Sequence, residues 1–320
     1  MVVCTIFTSQ LSILAVPGAV ERAKTSGVTL DDVIDRYIRE STKDFGKTKK
    51  QVLASVRTYD IAKLTCEQID SAAIVEFAQL LLKYCLPQTV GNYISHLASV
   101  FAIARPAWNY PLSQQAMKDA QAVTNRLGVT SKSQARSRRP TLGELDKFME
   151  HFDLRTKRRP DSAPMTKIIA FAIFSTRRLE EITRIAWSDL DEEGKRILVR
   201  DMKNPGEKIG NHVWCDLPAE ALQVIQTMDR GSTEIFPYSP DAISASFTRA
   251  GPLLGIEDLH FHDLRHEGVS RLFEMGLNIP HAAAVSGHRS WTSLKRYTHL
   301  RQTGDKYANW KWLKKMTSPG

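Results

Sequence analysis

The sequence predicts a mainly helical protein of two domains: an all-helical N-terminal one, then a mixed, mostly helical one holding a small β-hairpin. Three observations carry this. Apolar residues recur at three- and four-residue spacing across the first 130 positions. A basic, aperiodic stretch at 130–140 separates them from the rest. Only two short runs, Arg196–Arg200 and Ile209–Cys215, have β character, and Asn204-Pro205-Gly206 between them is turn chemistry.

Each element has a local cause. Thr29 with Asp31 and Asp32 suits a helix start, and Val33, Tyr37 and Ile38 continue it as an apolar stripe. Glu67 to Tyr84 places Ile69, Ala73, Phe77 and Leu80 on one side. Gln88 to Ala104 gives the clearest amphipathic pattern, with Val90, Tyr93, Ile94, Leu97, Val100, Phe101 and Ala104 in phase. Arg105-Pro106 should end that helix, since proline disfavours helical geometry before it. Thr141 followed by Glu144 forms a capping box that opens the second domain. There, helices are expected at Met165–Phe174, Ala219–Met228, Ala242–Leu254, His262–Met275, Ile279–Val285, Trp291–Tyr297 and Asp305–Met316. The resulting division is an extension 1–28, a helical domain 29–129, a linker 130–140, a main domain 141–303 and a tail 304–320.

Composition narrows the class of partner. A chain of 320 residues accommodates two cores, and 42% hydrophobic with 25% charged residues fits a soluble globular protein. A net charge of +9 favours a polyanionic partner. Cys4, Cys66, Cys85 and Cys215 lack metal-ligand spacing, so neither a disulfide framework nor a zinc site is expected, and the simple setting is a reducing cytoplasm. Residues 2–20 are apolar but interrupted by Thr5, Thr8, Ser9, Gln10 and Ser12, so neither a signal peptide nor a membrane span is expected. The linker carries Lys132, Arg136, Arg138 and Arg139. It reads either as a solvated hinge or as a strap laid along phosphates, where each neutralised phosphate releases counterions.

The chemistry concentrates late in the chain. His262 and Arg265 are three apart, Gly287-His288 follows, and Arg296-Tyr297 comes nine residues after His288. Upstream, Ser175 to Ile182 contains Arg177, Arg178 and Glu181, and continues into Trp187 and Asp189. Together these segments resemble the catalytic signature of the tyrosine recombinases, the phage integrase family, and the resemblance runs from Thr29 to Met316.

The resemblance implies a SAM-like core-binding domain and a catalytic domain closing as a C-shaped clamp on double-stranded DNA. It implies site-specific recombination through a 3′-phosphotyrosyl intermediate, with no metal or other cofactor and no ATP. Anchoring on Glu181 and Trp187 aligns Arg178, with Thr176 standing where the family carries glycine. Arg178 and Arg265 then form a bidentate clamp on the phosphate, the arrangement that stabilises charge developing on nonbridging oxygens. His288 is the phosphate's further partner, and His262 either binds phosphate or accepts the phenolic proton. Tyr297 is the nucleophile, with Tyr307 its nearest competitor. Lys203, or Lys208 on the same hairpin, protonates the leaving oxygen. Glu181 holds Arg178. His266 reads as structural, and Glu267 stands where family members often carry a small hydroxyl residue.

The implied partners are DNA recombination sites, a homotetramer assembled on them, and an accessory DNA-bending or directionality protein. The tail, rich in Tyr307, Trp310 and Trp312, docks either on its own domain or on a neighbouring protomer. The short extension before Thr29 favours simpler recombinases over arm-site-dependent integrases, in a bacterial, phage or plasmid setting. Two other readings stay open: a type IB topoisomerase, and a sequence-specific DNA-binding protein that does not cleave.

Overall fold

The computed structural model describes residues 26–43, 45–133, 136–202 and 210–318. The chain divides into two compact units, Met1–Ala135 and Arg136–Gly320. No helix among the described residues is long and apolar enough to cross a membrane.

The first unit contains five α-helices among its described residues: α1 (Leu30–Glu40), α2 (Lys47–Val56), α3 (Ser71–Leu82), α4 (Pro87–Trp108) and α5 (Gln114–Arg126). Helix α1 starts with a capping box, in which Asp32 accepts from the Thr29 amide at 2.9 Å and Thr29 Oγ1 accepts from the Asp32 amide at 3.3 Å. Its stripe of Leu30, Val33, Ile34 and Tyr37 packs with Leu53, Ile74, Val90, Ile94, Leu97 and Phe101 into one core. Two boundaries differ from expectation. Helix α3 begins only at Ser71, because the Asp70 side chain caps it by accepting from the Ala73 amide at 2.8 Å. Helix α4 runs through Pro106 to Trp108 and stops at Asn109, which is left-handed at φ 56°. Proline at 106 removes the amide that would bond the Ala102 carbonyl. Gln114 Nε2 donates to that carbonyl at 2.9 Å instead, so the helix continues without an orphaned acceptor.

The second unit is built around α7 (Met165–Ser175), a helix with every residue buried except Lys167. An apolar run of this kind must be covered on all sides. Against it lie α6 (Leu142–Arg158), α9 (Ala219–Gln226), α11 (Asp263–Glu274) and the tail helix α13 (Lys311–Thr317). The remaining helices are the single turn α8 (Leu179–Ile182), α10 (Pro240–Leu253) and α12 (Ile279–Ser286). The sheet has three antiparallel strands in order β1 (Leu190–Asp191), β2 (Arg196–Val199) and β3 (Val213–Asp216), with Ile197 opposite both Leu190 and Cys215. Strand β1 was not expected, and β3 starts later than the alternating run did. The turn at Asn204-Pro205-Gly206 lies outside the described residues. Trp291–Tyr297 forms two 3₁₀ turns, Trp291–Ser293 and Lys295–Tyr297, in place of one helix.

The tail docks on its own unit. Tyr307, Trp310, Trp312 and Met316 join the core, Trp310 Nε1 donates to Asp146 at 2.8 Å, and Lys315 pairs with Asp153. Lys311 and Lys315 are four positions apart in the helix, so both ammonium groups fall on one face above the acidic row of α6.

Candidate active site

Helix α11 meets the C-terminal end of α7 at very short range. A Cβ at Gly268 would come within 2.1 Å of the Ile173 carbonyl, so only glycine permits this approach. The contact brings Arg265, on α11, against the turn that follows α7. Thr176 makes that turn at φ 57°, the left-handed conformation that costs a non-glycine residue roughly 1–2 kcal/mol. The same turn aims the Thr176 carbonyl at Arg265, whose Nη1 donates to it.

Two adjacent arginines leave this turn in different roles. The Arg177 side chain is 0% exposed. Its guanidinium donates to the carbonyls of Ser175 at 3.1 Å and Val285 at 2.5 Å, and to Cys215 Sγ at 3.0 Å. The Arg178 side chain remains 27% exposed and donates from Nη1 to Glu181 Oε1 at 2.6 Å. Glu181 is buried and also sits 3.8 Å from Arg177 and 3.9 Å from Arg265. Burial pushes its carboxyl up, but the charges of Arg177, Arg265 and Arg178 outweigh this and hold it below the usual range. Glu181 is thus the shared counter-ion of three guanidinium groups.

Arg265 also donates from Nη2 to the Ser286 carbonyl at 3.1 Å and to His288 Nε2 at 3.3 Å. A guanidinium cannot accept, so His288 Nε2 is the acceptor and Nδ1 carries the ring hydrogen, donating to Ser286 Oγ at 2.7 Å. Burial, and then the charges of Arg265, Arg178 and Arg177, push His288 down to about 3. Burial and the two arginines likewise lower Arg265, to about 9, which leaves it a cation at neutral pH. Gly287 closes α12 at φ 70°, and a Cβ there would meet Met202 Cε at 2.5 Å.

A cavity of about 320 Å³ opens onto these groups, lined by Arg178, His260, His262 and Arg265 together with Asp241, Ser244 and Thr248 of α10. Tyr297 does not line it. Its ring stacks on Phe273 at 6.0 Å, and its hydroxyl lies 2.7 Å from His266 Nδ1. Burial raises the phenol against the lowering pull of Arg296, Arg265 and Arg139. The structure therefore brings Arg178, Glu181, His262, Arg265, His288 and Tyr297 into one region of the second unit. Lys203 and its alternative Lys208 lie outside the described residues.

Two sequence readings change. His266 is not a bystander: it is the hydrogen-bond partner of Tyr297. Its four-residue spacing from His262 puts both rings on one helix face, 5.0 Å apart and perpendicular, but carries no sign of the contact with Tyr297. Three of the linker cations are not those of a solvated hinge. Arg136 bonds Asp263 at 2.8 Å and Asp258 at 2.9 Å, Arg138 pairs with Glu144, and Arg139 bonds Glu267 at 2.8 Å and Glu274 at 2.7 Å. Carboxylates of their own unit hold these three, while Lys132 is exposed.

Comparison with known proteins identifies the family and the fold. The model of the phage integrase family matches residues 141–303. The shufflon-specific DNA recombinase of Escherichia coli is 29% identical over 289 residues, covering 86% of this chain and 70% of that protein. Among solved structures, a lambda integrase dimer bound to a COC′ core site superposes with a TM-score of 0.66 at 20% identity, over 88% of this chain and 81% of that one. The Tn1549 transposon integrase in complex with transposon right end DNA gives a TM-score of 0.62 at 15% identity, over 85% and 95%. The match spans the turn after α7, the sheet, α11, α12 and Tyr297, and the chain belongs to the phage integrase family.

Proposed function

We propose that this protein is a tyrosine-type site-specific DNA recombinase that cleaves and rejoins strands through a 3′-phosphotyrosyl link at Tyr297. The observation that carries the reading is the Arg178–Glu181–Arg265–His288 group. Two guanidiniums and a neutral imidazole are fixed by one buried carboxylate and two backbone carbonyls, beside a cavity open to a phosphate. Fixed donors of this kind stabilise charge that develops in the transition state without reorganising when it forms.

In the reaction, Arg178 and Arg265 clamp the nonbridging oxygens of the scissile phosphate, and His262 faces it from the cavity wall. Tyr297 attacks phosphorus, and the leaving 5′ oxygen takes a proton from Lys203. The phosphotyrosyl bond conserves the energy of the broken phosphodiester, so a second 5′-hydroxyl reverses the step without ATP. The substrate is double-stranded DNA carrying recombination sites, and the working form is a tetramer on DNA, as a lambda integrase tetramer is on a Holliday junction. Binding rests largely on phosphate contacts and falls steeply with salt.

The test is a duplex nicked near the cleavage point, so that the short leaving strand diffuses away. Wild type should accumulate a covalent protein–DNA band and Tyr297→Phe none, at equal DNA binding. No band with wild type would leave a DNA-binding protein without cleavage. Joint products from two marked duplexes separate recombination from topoisomerase relaxation, which reseals the same strand.

A further inference from the structure

The contact between Tyr297 Oη and His266 Nδ1, at 2.7 Å, has no task in the steps above. Both partners are fixed. Tyr297 stacks on Phe273, and His266 stands edge-on to His262, so α11 carries the ring support, the hydroxyl's partner and Arg265 together. His262, by contrast, lines the cavity with Arg178 and Arg265, where the phosphate would sit.

Resting on the recombinase reading, we infer that His266, not His262, is the catalytic base that holds the Tyr297 hydroxyl before attack and receives its proton. In the step, the Oη–H bond breaks and the proton passes to His266 Nδ1. The freed electron pair forms the Oη–P bond. The P–O5′ bond breaks with its pair on O5′, which is protonated from the leaving side. Rejoining reverses this, and His266 returns the proton to Oη.

The surroundings make this base responsive to DNA. Burial first, then His262 and Arg296, hold His266 down at about 4; Arg265 acts in the same direction and Asp263 opposes. At neutral pH the ring is therefore uncharged, and Nδ1 accepts the phenol's hydrogen bond. It is also too weak a base to ionise Tyr297 at rest. A phosphodiester seated on Arg265 brings negative charge that offsets the cations depressing His266, so its basicity rises when substrate arrives.

The test uses the full chain and the nicked duplex under single-turnover conditions. His266→Asn keeps a polar atom near Nδ1 but cannot take a proton. Its DNA affinity should match wild type while cleavage falls about 100-fold or more at pH 7. That loss should shrink as pH rises and the phenol ionises unaided. His262→Asn should lose rate without rescue at high pH. As a second variant, His266→Ala should regain rate with added imidazole. Cleavage by His266→Asn within threefold of wild type, a loss that does not shrink with pH, or rescue confined to the His262 variants would overturn the inference. Wild-type adduct formation is read in the same experiment, and its absence would instead bring down the recombinase reading.

Discussion

Arg139 Nε donates to Glu267 Oε2 at 2.8 Å, joining the last cation of the linker to the residue two places after Arg265. Glu267 is 0% exposed, and Lys306 at 2.6 Å and the Tyr307 hydroxyl at 3.1 Å complete its shell. This buried carboxylate ties linker and tail to α11. Removing one partner of a buried ion pair leaves a charge uncompensated and costs about 3–5 kcal/mol. Lys306 and Tyr307 remain, so Arg139→Ala should cost near the low end, about 3 kcal/mol in urea unfolding. Adding Glu267→Gln should recover part of that loss. Arg136→Ala should leave the salt dependence of DNA binding unchanged, because Asp263 and Asp258 already neutralise that guanidinium. A drop of about one unit in the salt slope would return Arg136 to the phosphates.

The Arg177–Arg178 pair should split by assay. Arg177→Ala deprives two buried carbonyls of their donor and opens a void, so it should lose about 3–5 kcal/mol of stability. Arg178→Ala removes a partly exposed donor to Glu181, which Arg177 and Arg265 still flank, so it should lose only about 1–2 kcal/mol, bind DNA, and form no covalent adduct. Melting curves with adduct gels check both. An inactive but fully stable Arg177→Ala would shift the clamp by one residue.

Legibility from sequence followed the range of the interactions. Capping boxes at Thr29 and Thr141 act over three residues and were readable directly. The order Arg178, Glu181, His262, Arg265, His288, Tyr297 was readable because each motif is local and its spacing carries the chemistry. The ion pairs of Arg136 and Arg139 were not readable, because the carboxylates that hold them, Asp263, Glu267 and Glu274, lie more than a hundred residues away. Charge in a sequence does not reveal its counter-ion. The Tyr297–His266 contact spans 31 residues and depends on how the 3₁₀ turns pack on α11, which no local pattern encodes. Helix α4 passed its proline for a similar reason: the replacement donor, Gln114, comes from the next helix.

Tyr307 is set against a nucleophile's role by its position: it is fully buried in the core and its hydroxyl donates to Glu267 at 3.1 Å. Burial and the Glu267 charge both raise its phenol well above the ordinary range. Tyr307→Phe should therefore keep adduct formation while losing about 1–2 kcal/mol from the unpaired carboxylate oxygen. Peptide mapping of the wild-type adduct should find the nucleotide on Tyr297. A nucleotide on Tyr307 would reverse the assignment.

If Lys203 protonates the leaving oxygen, its loss should depend on the leaving group. A 5′-bridging sulfur departs without a proton, so Lys203→Ala should cleave such a substrate nearly as fast as wild type, while failing on the oxygen substrate by about 100-fold. Equal failure on both substrates would move the acid elsewhere, with Lys208 the next residue to change.

Two half-buried histidines contribute to the acid side of stability. His288 is held at about 3 and His266 at about 4, against an unfolded value near 6.5. Below 6.5 the unfolded chain binds protons that the folded site refuses, so their contribution is complete above that pH and declines as pH falls toward 4 and then 3. Urea unfolding at pH 7 and pH 5 should show a decrease to which His288 contributes roughly 1–2 kcal/mol. In His288→Asn, which retains a donor toward Ser286, the decrease between the two pH values should be smaller by that amount. An identical decrease in the variant would mean that His288 is protonated in the folded state, and with it that Arg265 does not donate to Nε2.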